Sequence, residues 1–184
     1  MGILLLLATQ LLSCNDGKQK DSPVSSTTRV ESKQSTDIFN SVRFTKLSLP
    51  SGKVIETKLA ITQQEQNTGL SGSQIEHFGL YQGLLFYYPF IGKRQFWMPD
   101  TYFNIDIIFL DKNLKVIAVE KNVPAHPGRQ EPPRIYRTKT YLSRHVLEIR
   151  ADSPLSKEIN VGTQFAWISK TSLSETESQI HQLQ

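Results

Sequence analysis

Between Val42 and Ser169 the apolar positions come in short bursts separated by turn residues, the pattern of strands rather than of long helices. Val42, Phe44, Leu47 and Leu49 mark a first strand over Val42–Leu49. Pro50-Ser51-Gly52 turns the chain and the β-branched run Lys53–Ile61 follows, so the two segments predict a hairpin. Thr62-Gln63-Gln64-Glu65 is a capping-box signature, Thr at the N-cap and Glu three residues on, and opens a short helix that stops near Gly69. Gly83–Tyr88 is apolar on both faces and predicts a buried strand. Arg94–Met98, Asn104–Leu110 and Leu114–Glu120 predict three more, the last two joined by the turn Asp111-Lys112-Asn113. A long loop with prolines at 124, 127, 132 and 133 leads to a strand over Tyr141–Ile149. A helical turn from Ser153-Pro154 to Ile159, a break at Gly162 and a last strand over Thr163–Ser169 complete the series. The expected fold is mostly β, a β-rich α+β domain built as a small barrel or rolled sheet, with one short helix capping an open end.

The ends follow different rules. Ile3-Leu4-Leu5-Leu6-Leu7-Ala8 is too short to span a bilayer as a helix and fits the core of a signal peptide. Leu11-Leu12-Ser13-Cys14 resembles the bacterial lipobox, in which the cysteine becomes the lipidated first residue of the mature protein. No Lys or Arg precedes the apolar run, whereas a secretory signal normally carries one, so the native start is expected upstream of Met1. Residues 14–41 are polar, with only Val24, Val30, Ile38 and Phe39 to bury from Asn15 to Asn40, a composition that cannot offset the entropy of folding. Such a tether would have an end-to-end distance of about 25–30 Å. The expected organisation is a signal peptide over 1–13, a lipidated cysteine and disordered tether over 14–41, one domain over 42–170, and a flexible polar tail over 171–184. Acylated Cys14 would hold the protein on a bacterial membrane, at its periplasmic or extracellular face, by about 0.8 kcal/mol per buried methylene.

Charge alters this picture only locally. The formal net charge is +4, yet residues 15–41 contribute nothing to it, with four basic and four acidic side chains. From Lys121 to Arg150 seven basic residues face only Glu131 and Glu148. Arg129, Arg134, Arg137, Lys139 and Arg144 would suit an anionic envelope ligand or polymer. A location outside the cytoplasm disfavours nucleic acid, and the domain is expected to be monomeric. A single cysteine, Cys14, excludes an intramolecular disulfide. His77, His126, His145 and His181 lack ligand spacing, so no metal and no cofactor is expected. A nucleophile elbow, a Walker loop and a His-Glu-x-x-His helix are all absent from the sequence.

One further pattern is distinctive. Gly69-Leu70, Gly83-Leu84-Leu85-Phe86, Phe96-Trp97-Met98-x-x-Thr101, Ile105-Asp106-Ile107-Ile108-Phe109, Tyr136, His145-Val146-Leu147-Glu148-Ile149 and Gly162 occur in the order found in the DUF192 family. The chain resembles that family over about residues 54–169. The resemblance implies a compact, mainly β prokaryotic domain, often exported, with no established enzymatic activity. It also exposes departures. Ser71-Gly72-Ser73 stands where the family usually has Met, a variable residue and Arg. Pro99-Asp100 replaces the usual Lys-Asn, and Thr163 the usual Asp. A family site that needs the Arg or Lys has lost it here, or has moved the charge to Arg94, Arg134 or Arg137.

These observations define a candidate ligand site of Trp97, Asp100, Thr101, Asp106, Tyr136, Arg137 and Glu148, with a cleft between the aromatic stretch and the Pro/Arg-rich loop. Trp97, with Phe96, Tyr102 and Phe103, is either core or a stacking platform for a sugar, peptide or lipid headgroup. Asp106 reads as a structural acceptor at a bend or bulge, Asp100 as turn chemistry, and Glu148 as half of an ion pair on a strand face shared with Val146 and Arg150. The function that follows is an envelope lipoprotein acting as a ligand-binding or accessory module. The alternative is a hydrolase-like enzyme on an envelope polymer, with Asp100, Asp106 or Glu148 as general acid and base. It requires two of these carboxylates about 5–10 Å apart in one open cleft.

Overall fold

A computed structural model describes residues 43–183. The signal-like segment, Cys14 and the expected tether up to residue 41 lie outside the described residues. The hairpin forms as expected: β1 (Phe44–Ser48) pairs antiparallel with β2 (Val54–Ala60) across the Pro-Ser-Gly turn. Thr62 and Glu65 close the capping box reciprocally and start α1 (Gln63–Thr68). β3 (Gln82–Phe86) then lies parallel to β2, a pairing that needs a crossover, and α1 with the 3₁₀ turn Ile75–His77 provides it. β5 (Ile105–Leu110), β6 (Val116–Val123) and β8 (His145–Arg150) complete the main sheet with the short β9 (Ala166–Trp167), in the order β6-β5-β8-β3-β2-β1-β9.

The sheet curls, and the segment from Gly162 to Trp167 bridges its two edges. On the β6 side, Gly162 N–H donates to Val116 O, Val116 N–H to Thr163 O, and Phe165 N–H to Leu114 O. On the β1 side, Trp167 and Ala166 pair with Leu47 and Ser48. The expected Thr163–Ser169 strand is therefore divided between two edges. Inside the curl, Leu47, Ile55, Leu59, Leu85, Ile108, Leu147 and Ile149 pack into one core. Gly83 faces this core because no side chain fits: a Cβ there would lie 2.9 Å from both Ile55 Cγ2 and Leu147 Cδ1. On the outer face a second core forms from Leu84, Phe86, Ile105, Ile107, Phe109 and Val146, covered by Met98, Phe103 and Ile135. Cover on both faces explains why all six residues of β5 are buried.

Three expectations change. The run Tyr141–Ile149 splits: Tyr141–Ser143 is β7, paired with β4 (Gly92–Arg94) in a separate two-stranded sheet, while β8 starts at His145. The polar Ser143-Arg144-His145 interrupts the run at the break, but a polarity pattern cannot show which sheet each half joins. The strand expected over Arg94–Met98 ends at Arg94. Phe96–Met98 instead lies along the long loop, with Thr138 N–H donating to Phe96 O and Met98 N–H to Tyr136 O. The tail expected to fray carries α2 (Leu173–Leu183). Ser172 and Glu175 cap it reciprocally, Ile180 enters the inner core, and Glu177 pairs with Arg144 at 2.8 Å. With Ile180 buried and Leu173 only partly buried against the core, a mostly polar helix gave periodicity little to detect.

Candidate functional site

An open cavity of about 960 Å³ lies on the outer face of the sheet, between α1 and the segment 88–101. α1 forms one wall with Gln63, Gln66 and Asn67. Its position is fixed by the Thr62 cap, by Gln66 Nε2 donating to Tyr87 O at 2.7 Å, and by the Arg43–Glu65 ion pair at 3.0 Å. Burial alone would raise the Glu65 carboxyl. The N–H groups of Thr62 and Ile61 outweigh it and hold the group below its ordinary value. The opposite wall is aromatic: Phe96 stands edge-on to Phe86 at 4.7 Å, and Trp97 is 52% exposed beside it. Phe86, Tyr88, Leu70, Met98 and Ile105 add further lining.

Glu148 belongs to the floor. In the register of β8 it stands beside Leu84 of β3 and Ile107 of β5, so its side chain leaves the sheet on the outer face. It is 4% exposed, and its Oε2 has no hydrogen-bond partner among the described residues. Burial without compensation pushes this carboxyl up to about 8, so it is mostly protonated at neutral pH. Above it sits Gly69, with φ +51; a Cβ there would lie 3.1 Å from Phe86 Cζ and 4.0 Å from Glu148 Oε2. Glycine thus permits the helix-ending conformation and spares Phe86 the close contact a side chain would make.

The expected ion pair between Glu148 and Arg150 is not formed. Arg150 turns to Asp152, at 2.6 Å, and to the carbonyls of Ile75 and Phe78. Nor does Arg94, the other charged lining residue, pair with Glu148: its guanidinium lies 3.6 Å from the Tyr88 ring centroid and donates to Phe90 O at 3.0 Å. Of Arg94, Arg134 and Arg137, only Arg94 lines the cavity.

The remaining candidates disperse. Trp97 and Thr101 line the cavity with Glu148. Thr101 is structural as well: its Oγ1 donates to Met98 O at 3.0 Å and accepts from His126 N–H at 3.1 Å. Asp100 does not line the cavity. It occupies the left-handed region at φ +56, which Asp and Asn tolerate best among residues with a side chain, and accepts the Tyr102 hydroxyl at 2.9 Å. That backbone requirement accounts for Asp where the family usually has Asn. Tyr136 donates to Glu120 at 2.9 Å, as does Tyr141 at 2.8 Å. Arg137 pairs with Glu131 at 3.0 Å and sits 5.5 Å from the Trp97 ring centroid.

Asp106 pairs with Ile149 in the β5–β8 register and so faces the interior of the curl, opposite to Glu148. It lies at a bulge between β5 and β6, where its Oδ1 accepts Asn122 N–H at 2.9 Å and its Oδ2 accepts Lys121 Nζ at 2.9 Å and Ser156 Oγ at 2.5 Å. Asp106 and Glu148 are on opposite faces, and Asp100 is engaged outside the cavity. The three carboxylates do not converge, and the paired-carboxylate requirement of the hydrolase alternative is not met. The Pro/Arg-rich loop packs along residues 96–101, with Asp100 N–H donating to Gly128 O and Thr101 N–H to His126 O, but it does not line this cavity; residues 125–130 with Pro132 and Pro133 line a separate one of about 580 Å³. Among the described residues no cluster of His, Cys, Asp and Glu is arranged to hold a metal, and no helix is long and apolar enough to cross a membrane.

Sequence reasoning missed Gly69 and the amides of α1 as parts of the site. The capping box located the helix and Gly69 its end, but only the crossover places them over Glu148.

Taken together, the curled mixed sheet and its outer-face cavity define a mostly-β domain with an open, aromatic-walled cleft floored by one buried acid. The chain belongs to the DUF192 family, described as "Uncharacterized ACR", whose pattern matches residues 46–167. A crystal structure of a protein of unknown function from Novosphingobium aromaticivorans is similar, with a TM-score of 0.53 and 26% identity, covering 67% of this chain and 84% of the other. A Sinorhizobium meliloti protein, described as a candidate transcription regulator, shares the fold, with a TM-score of 0.53 and 20% identity, covering 67% of this chain and 92% of the other. No curated protein matches.

Proposed function

We propose that this chain is a ligand-binding module whose site is the outer-face cavity floored by Glu148, carried on the cell envelope by an acylated Cys14. The observation that carries the reading is the buried Glu148 carboxyl, left without a partner beside an open cavity. Buried polar groups in folded proteins are almost always hydrogen-bonded, and an exception next to a cavity is a functional-site candidate. An apolar and aromatic lining with a few convergent polar groups is the usual make-up of a small-molecule site. The lipobox-like Leu11-Leu12-Ser13-Cys14 and the polar residues after it support the anchor.

Two experiments address the two parts. A thermal-shift and calorimetry screen against envelope glycans, peptides and small polar metabolites is expected to give hits that Trp97→Ala and Glu148→Gln both weaken by about tenfold or more. Hits indifferent to both substitutions would remove the cavity from the account. Metabolic labelling with a fatty acid is expected to mark the wild-type chain and not Cys14→Ser, which should also leave the membrane fraction; an unlabelled wild type would overturn the anchor.

A further inference from the structure

We infer that the cavity takes a ligand carrying an ammonium group, which docks on the Glu148 carboxylate between the aromatic walls. The inference rests on the cavity being the binding site and adds the ligand's chemical class. Glu148 is held on β8 between Leu84 and Ile107, with Phe86 and the bare Gly69 above it, so no side chain of the described fold supplies a cation to it. The two nearby arginines are committed: Arg150 to Asp152, and Arg94 to the Tyr88 ring and Phe90 O. An unpartnered buried acid among the lining residues of a cavity is a receptor for a donor brought by the ligand.

The walls select which donor. Phe86, Phe96, Trp97 and Tyr88 give the cavity an aromatic surface, the Tyr88 ring being already covered by Arg94. Such surface attracts cations electrostatically and offers little to a hydroxyl beyond hydrophobic contact. In a desolvated site an ammonium gains from both the carboxylate and the rings, and Gln63, Asn67 and Gln95 add polar groups to the same lining. Arg94 and Tyr88 are the other titratable groups lining the cavity. Arg94, over the Tyr88 ring and bonded to Phe90 O, is engaged by its own partners and makes no ion pair with Glu148.

Proton balance makes the inference testable. The empty site holds Glu148 mostly protonated at neutral pH. Docking R–NH₃⁺ ionises the acid: the carboxyl O–H bond breaks, its proton passes to buffer, and the carboxylate accepts the ammonium N–H. A neutral alcohol requires no such release. The full chain is titrated near pH 7 with two matched pairs, benzylamine against benzyl alcohol and 1,5-diaminopentane against 1,5-pentanediol. Binding is followed by Trp97 emission, with Trp97→Phe as control, and by calorimetry in buffers of different ionisation enthalpy. The expected result is amine binding about tenfold or more tighter than alcohol binding. Its heat should depend on the buffer with the sign of proton release, and the preference should be lost in Glu148→Gln. Alcohols binding as well as amines, with buffer-independent heats, would overturn the ammonium class while leaving the cavity as the site. No binding of any of the four, by either readout, would overturn both. The buffer dependence is read on the wild-type chain, so the test stands even if Glu148→Gln folds poorly.

Discussion

An ionised carboxylate buried without a partner costs several kcal/mol, and Glu148 avoids that cost by keeping its proton. Its folded value, about 8, lies above the ordinary 4.5, so from about pH 4.5 to 8 the unfolded chain ionises while the folded chain does not. Stability therefore falls as pH rises through that window. Glu148→Gln removes the titration. Its Tm should track the wild type below pH 4.5 and gain on it toward pH 8, by the equivalent of a few kcal/mol at most; parallel curves would contradict the burial. Asp106 is the opposite case, a carboxylate satisfied by Asn122, Lys121 and Ser156. Asp106→Ala leaves the Asn122 N–H and the Ser156 hydroxyl without their acceptor and should cost about 2–4 kcal/mol in urea denaturation. Lys121, 38% exposed, can turn to water and limits the loss. Cavity binding should survive, because Asp106 faces the other side of the sheet. Asp100→Asn, which keeps a residue suited to positive φ, should change stability by less than about 0.5 kcal/mol.

At the scale of elements, the two α-helices among the described residues do different work. α1 holds a cavity wall, and the Thr62–Glu65 box caps its N-terminus. Thr62→Ala should cost about 1 kcal/mol and speed amide exchange over residues 63–69 before the sheet responds. α2 is an integral cover of the inner core through Ile180, which is 1% exposed. Ile180→Ala should cost about 2–4 kcal/mol, a loss that a frayed tail would not show. Both helices announce themselves by the same signature, Thr62-x-x-Glu65 and Ser172-x-x-Glu175. The first stood before a recognisable break at Gly69 and was legible. The second opened a mostly polar segment whose sparse core contacts, Leu173 and Ile180, periodicity could not reveal. The hairpin was legible because its turn residues and β-branched run agree. The Tyr141–Ile149 break was not, because only tertiary pairing assigns its halves to two sheets.

For the whole molecule, opposing titrations set the pH of greatest stability. Burial, assisted by the charges of Arg144 and Arg94, holds the His145 imidazole down at about 3, below its ordinary 6.5. As pH falls from 6.5 toward 3 the unfolded chain takes up a proton that the folded chain refuses, and stability drops. Glu148 acts in the other direction above about 4.5. The stability maximum is expected between about pH 4.5 and 6.5, and a Tm series across pH 3–9 checks it; a maximum above pH 8 would contradict the two burials. The site itself was only partly legible. Trp97, Thr101 and Glu148 stood out singly as residue types, but their convergence depends on strand register, and the same register sends Asp106 to the opposite face. No spacing rule in one dimension separates those two acids.

The most direct test of the account is a crystallographic soak of the protein with a library of small polar fragments that includes amines. The account predicts fragments bound in the outer-face cavity, a donor atom within hydrogen-bond distance of a Glu148 carboxyl oxygen and ring contacts to Trp97 or Phe96. Fragments gathering at the His126 loop cavity or elsewhere, with the space over Glu148 left empty at saturating concentrations, would contradict it.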